Sequence, residues 1–110
     1  MSITVKRMLE EIIPKRALKV QDKLQDLDCM IQINAEGEDG GEWVLKLAKG
    51  KLEVSPGKSD NPNCMIIADN KIWLELFNGK LKFMKALLFG KLKVQGDKKL
   101  ALRLTSTLLG

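Results

Sequence analysis

Along the chain, apolar residues switch between a helical and an extended spacing, and each switch marks an element. Val5, Met8, Leu9, Ile12 and Ile13 share one helical face behind a capping Thr4. Pro14 then opens a second segment through Ala17, Leu18 and Leu24, which predicts two short helices. From Cys29 the period falls to two, with Cys29, Ile31, Ile33 and Ala35 on one side of a strand and Met30, Gln32 and Asn34 on the other. After a Gly-rich turn at 37–41, alternation resumes through Trp43, Leu45 and Leu47. Lys49-Gly50 is a two-residue hairpin loop leading to Leu52 and Val54. Residues 55–63 break structure, and residues 64–68 are too short for a buried helix and suit an interior strand.

In the remainder, Asp69 and Asn70 cap a helix carrying Ile72, Trp73, Leu76 and Phe77, which Gly79 stops. A second short helix carries Phe83, Met84, Leu87 and Leu88 and stops at Gly90. Residues 91–95 alternate as a fifth strand, Gly96-Asp97 turns the chain, and residues 98–109 form a last helix with Leu100, Ala101, Leu104 and Leu108 on one face. Gly-Lys-Leu-Lys occurs at 79–82 and again at 90–93. A glycine in each copy would break a continuous helix, so the repeat marks two separate helix exits. The expected fold is a single α+β domain over 1–110, with a five-stranded, mainly antiparallel sheet and helices covering one face.

Composition narrows the chemistry. The chain has 110 residues with no histidine and no tyrosine, which removes His-based triads, His-ligated zinc and tyrosine nucleophiles. Cys29 and Cys64 are far apart in sequence, each in an apolar stretch, and read as buried thiols rather than a redox or metal pair. No catalytic residue, metal or cofactor is expected. The N-terminal stretch meets Glu10-Glu11 with no apolar run long enough for a signal peptide or a membrane span, so the cytoplasm is the expected compartment.

Charge is divided unevenly. Residues 1–55 hold nine Lys/Arg against ten Asp/Glu, whereas residues 56–110 hold ten against four, so the net charge of +5 belongs to the second half. An anionic partner fits that half, as does a solvated lysine face. Nucleic acid is not expected, because Trp43, Trp73, Phe77, Phe83 and Phe89 all fall at apolar-face positions and leave no stacking platform among the lysines. Apolar residues in 72–108 exceed one stripe per helix, with Leu74, Phe89 and Leu102 beyond it. Such an excess packs a core, forms an interface with a second copy, or lines a cavity for an apolar ligand.

Asn63-Cys64-Met65-Ile66-Ile67-Ala68-Asp69, Phe77-Asn78-Gly79-Lys80-Leu81, the run from Ala86-Leu87-Leu88-Phe89-Gly90 to Gly96-Asp97, and Leu100-Ala101-Leu102-Arg103-Leu104 together resemble the sterol carrier protein type 2 family. Gly41-Glu42-Trp43-Val44-Leu45 and Gly50-Lys51 extend the resemblance, which covers residues 28–106. It implies a tunnel between sheet and helices that holds a fatty acid, fatty acyl-CoA, sterol or isoprenoid without covalent chemistry. The expected wall is Trp73, Phe77, Met84, Leu87, Leu88, Leu104 and Leu108, on the inward faces of the late helices. Lys80, Lys82, Lys85, Lys91 and Arg103 are expected to meet a lipid head group or, transiently, an anionic membrane. The last helix is expected to close the cavity and gate entry.

The chain ends Leu108-Leu109-Gly110, without a Ser-Lys-Leu address, and has no fused thiolase or dehydrogenase, which predicts a stand-alone domain outside the peroxisome. Two functions remain open beside free lipid transfer: an accessory subunit presenting a lipid within an enzyme assembly such as one of quinone biosynthesis, and, more remotely, a nucleic-acid module.

Overall fold

The computed structural model describes residues 3–109, so the chain end at Gly110 lies outside the described residues. Five strands form one sheet: β1 (Asp28–Glu36), β2 (Gly41–Ala48), β3 (Lys51–Pro56), β4 (Cys64–Asp69) and β5 (Leu92–Gly96). Their order is β3-β2-β1-β4-β5, and every neighbouring pair is antiparallel except β1 and β4.

The alternation read in the sequence produces a sheet with one apolar face. Ile31 and Ile33 of β1 stand level with Leu45 and Trp43 of β2 and with Cys64 and Ile66 of β4. Leu52 and Val54 of β3 and Leu92 and Val94 of β5 extend that face to both edges. Cys64 is level with Ile31, two positions from Cys29, so the two thiols are diagonal neighbours on one face despite their separation in sequence. Burial is the main cause that raises both thiols, Cys64 to about 11. Both are therefore protonated at neutral pH and lack the thiolate that a nucleophile requires.

The helices α1 (Val5–Arg7), α2 (Ile13–Lys19), α3 (Asn70–Phe77), α4 (Phe83–Leu88) and α5 (Lys98–Leu108) form the second layer. Pro14 does not split the first helix as the sequence suggests. A π-helical segment, Met8–Ile12, joins α1 to α2, with the Ile13 N–H donating to the Met8 carbonyl five residues back. The wider coil accommodates a proline ring that would crowd the preceding turn of an α-helix, so the chain continues with Met8, Leu9, Ile13 and Ala17 all buried. Glu10, within this segment, accepts a 2.8 Å hydrogen bond from the Trp43 indole and ties the helix to β2.

The repeated Gly-Lys-Leu-Lys closes two helices in the same way. Lys80 N–H donates to Glu75 O and Gly79 N–H to Leu76 O; Lys91 N–H donates to Ala86 O and Gly90 N–H to Leu87 O. Both glycines have positive φ, 77° and 71°, as this left-handed helix ending requires.

The opposite sheet face carries the link between β3 and β4. Gln32, fully buried there, accepts from Ser59 N–H at 2.7 Å and donates to Gly57 O at 3.0 Å. The strand break at 55–63 is thus a strap across the sheet, held by Gln32 and by backbone bonds from Gly57 N–H to Glu42 O and Asn63 N–H to Met30 O.

Candidate functional site

Between the apolar sheet face and the helices lies an apolar cavity of about 30 Å³. Ile31, Ile33, Leu45 and Ile66 form its floor, Leu9 and Ile13 one side, Trp73 another, and Leu104, Thr105, Leu108 and Leu109 of α5 and its cap the roof. Thr105 is the single hydroxyl in this wall. Its Oγ1 lies 2.8 Å from Ala101 O and 3.1 Å from Leu102 O, so its proton is held by its own helix. The Trp73 indole likewise donates to Asn34 O at 3.1 Å. A wall with its few polar groups already satisfied offers water no partner, and an apolar cavity of this size stays dry.

Two arginines hold the roof in place. Arg103 forms a two-pronged ion pair with Asp26, at 2.6 and 2.9 Å, and also donates to Lys23 O at 3.0 Å. That pairing holds the Asp26 carboxyl below its ordinary value of 3.8. Arg16 of α2 donates to Leu108 O at 3.1 Å and lies 4.4 Å from the centre of the Phe77 ring, so one guanidinium connects α2, α3 and the end of α5.

The expected wall is assembled only in part. Trp73, Leu104 and Leu108 line the cavity. Phe77 and Leu87 are half-buried against the core outside the lining, Phe77 beneath Arg16. Met84 and Leu88 are not on an inward face: they stand 46% and 76% exposed on the outer side of α4. In α4 the buried residues are Phe83 and Ala86, and the small alanine lets the helix backbone approach its neighbours while the larger pair at 84 and 88 points away. Phe89 is 69% exposed, contrary to the expectation that every aromatic residue lies on an apolar face.

Of the basic residues, Lys80, Lys82, Lys85 and Lys91 are exposed, and none forms an ion pair with another described residue. Arg103 is committed to Asp26. Leu9, Ile13, Ile31, Ile33 and Leu45 fall on apolar faces that periodicity identifies, and Ile66 within the short interior strand, but periodicity alone does not separate a cavity wall from filled core. Thr105 and Leu109 were missed; Thr105 lies one residue from Leu104 on the same inward stripe.

The SCP-2 sterol transfer family model matches residues 7–109. Hydroxysteroid dehydrogenase-like protein 2 of Xenopus tropicalis is 31% identical over 103 residues, taking in 93% of this chain and 23% of that protein. The chain therefore spans less than a quarter of that relative's length. The solution structure of palmitated SCP2L2 from Aedes aegypti superposes with a TM-score of 0.81 at 24% identity, covering 98% of this chain and 96% of the other. The inverting sec-alkylsulfatase Pisa1 from Pseudomonas sp. contains the same fold, with a TM-score of 0.82 at 19% identity over 96% of this chain and 16% of that enzyme.

Proposed function

The chain belongs to the SCP-2 sterol transfer family, and from that premise we propose that it is a non-catalytic cytoplasmic lipid carrier. Its ligand is a fatty acid, fatty acyl-CoA, sterol or isoprenoid, held with its hydrocarbon between the sheet and the helices. The observation that carries this reading is the dry cavity roofed by α5. Each methylene moved from water into such a wall contributes about 0.8 kcal/mol, so a tail of about a dozen carbons gains roughly 10 kcal/mol before ordering costs. No acid, base or nucleophile is required for that, and the two buried thiols are protonated. The palmitated state of the Aedes aegypti relative supports a fatty acid as first ligand.

A cavity of about 30 Å³ is far smaller than a long hydrocarbon chain, so such a chain enters as the helical layer parts from the sheet. The sheet is held by continuous ladders, whereas α5 is held by its leucines and the two arginine ties, which makes α5 the movable wall. Titration with saturated fatty acids of increasing length tests the reading. Affinity is expected to rise up to about fourfold per added methylene until the space is filled; an affinity independent of length defeats it. Native mass spectrometry of the purified protein is expected to show a co-purified lipid. A protein that binds lipid yet moves none between vesicles would instead fit an accessory subunit of an enzyme assembly.

A further inference from the structure

The outer side of α4 is a surface that the cavity does not use. Leu88 and Phe89, 76% and 69% exposed, lie next to one another at the end of the helix, with Met84 one turn earlier and 46% exposed. The terminus that carries them is rigid: Phe89 N–H donates to Lys85 O at 2.9 Å, Gly90 N–H to Leu87 O at 3.2 Å and Lys91 N–H to Ala86 O at 2.8 Å. Phe83 and Ala86 are buried on the opposite side, so the helix is anchored with its apolar tip held outward.

The segment that carries this tip is basic, while Glu36 and Asp69 of the neighbouring strands line a surface depression together with Gly90, Lys91 and Lys93. From Leu76 to Gly96 the chain carries Lys80, Lys82, Lys85, Lys91 and Lys93 and no acidic residue. The neighbouring α5 adds Lys98 and Lys99, with Asp97 at its cap, where the carboxylate accepts the Leu100 N–H.

We propose that Met84, Leu88 and Phe89, with the lysines around them, form a docking surface for an anionic lipid bilayer. A contiguous exposed apolar tip requires a partner that removes it from water. A rim in which lysines outnumber carboxylates favours an anionic partner, and both conditions are met at an interface where acyl chains lie just below anionic head groups. Two of the three tip residues are not aromatic. That suits insertion among acyl chains and gives a nucleobase only one ring to stack upon. Because α4 packs on α5, the docked face adjoins the movable roof, which is where a carrier exchanges its ligand. This role deepens the carrier reading, but vesicle binding is measured separately from lipid uptake.

Co-sedimentation of the full chain with phosphatidylcholine vesicles, with and without phosphatidylglycerol, tests it. The protein is expected to bind the anionic vesicles, more weakly as salt is raised, and to leave the neutral ones in solution. Leu88→Ser with Phe89→Ser is expected to lower that binding more than tenfold with an unchanged melting temperature, since neither side chain is packed in the core. Lys82→Gln and Lys85→Gln are each expected to lower it about fivefold. Absence of binding to anionic vesicles, or equal binding by wild type and the Leu88/Phe89 variant, overturns the proposal. So does a dimer that this variant dissociates without altering vesicle binding, which would assign the surface to a second copy. Binding of a single-stranded oligonucleotide in place of vesicles overturns it in favour of nucleic acid. Palmitate uptake by the same variants tells the two ideas apart: vesicle binding without uptake defeats the carrier alone, and uptake without vesicle binding defeats the docking surface alone.

Discussion

The neighbouring helices α4 and α5 place similar residues in opposite settings. In α5 the leucines at 104 and 108 are buried over the cavity, and polar ties from two arginines fix the helix from outside. In α4 the residues of comparable size at 84 and 88 face outward, and Phe83 with the small Ala86 makes the inner contact. Amphipathic pattern alone therefore does not decide what a short helix does. The decisive factor is which side of it meets the sheet layer, and that is set by residue size at the contact and by the caps that fix its direction.

The largest effect expected from this contrast is on stability. Leu104→Ala should cost about 2–5 kcal/mol in urea unfolding, because it enlarges a cavity whose floor is rigid sheet. Leu88→Ala on α4 should change stability by less than about 0.5 kcal/mol. Comparable losses at the two positions would mean that α4 is packed on both sides.

Next in size is Arg16→Met, which leaves Leu108 O without its charged donor and removes the guanidinium from Phe77. A hydrogen bond to a charged group contributes about 1.5–3 kcal/mol and a ring contact of this kind about 0.5–1. The variant should therefore lose roughly 2 kcal/mol and release palmitate faster, since the end of α5 is then held by packing alone. Unchanged stability with unchanged release would remove Arg16 from the roof.

The two tryptophans sharpen the same division through fluorescence. Trp73 lines the cavity, whereas Trp43 lies outside the lining with its indole fixed to Glu10. Palmitate titration should change fluorescence in Trp43→Phe, which retains Trp73, and change it far less in Trp73→Phe. Equal responses would place the ligand elsewhere.

Much of the architecture was legible because its signals are local. Alternation gave four strands, a short apolar run the one at 64–68, Lys49-Gly50 the hairpin and paired glycines the two helix exits; the φ values at the hairpin, 53° and 81°, are those such a turn needs. What was not legible depends on contacts distant in sequence. Pro14 reads as a break until the π segment upstream absorbs its ring. Residues 55–63 read as a loop until Gln32 is seen to be buried beneath them. For the site, periodicity identified the inward stripe of α5 and the face of Trp73. It failed in α4, where four of six residues are large and apolar and the inside is marked by Phe83 and the small Ala86.

The smallest expected effect is at the other tie on α5. The Arg103 hydrogen bonds hold the Asp26 carboxyl below its ordinary 3.8, so this group binds its proton less readily folded than unfolded. Its contribution to stability is fully present above the unfolded value and disappears as the pH falls through the lower folded one. Both side chains are exposed, so the contribution is modest and salt weakens it. Melting curves of wild type and Asp26→Asn, compared from neutral to strongly acidic pH, isolate it from the other carboxylates. The wild type should melt higher by a constant margin at neutral pH, and the margin should close once the pH drops below the ordinary carboxylate range. Wild type should also release palmitate more slowly than the variant only where that margin exists. A margin that persists in acid, or none at neutral pH, would remove the Arg103–Asp26 pair from the ties that hold the roof of the cavity, and would leave that work to Arg16 and to the Arg103 bond to Lys23 O.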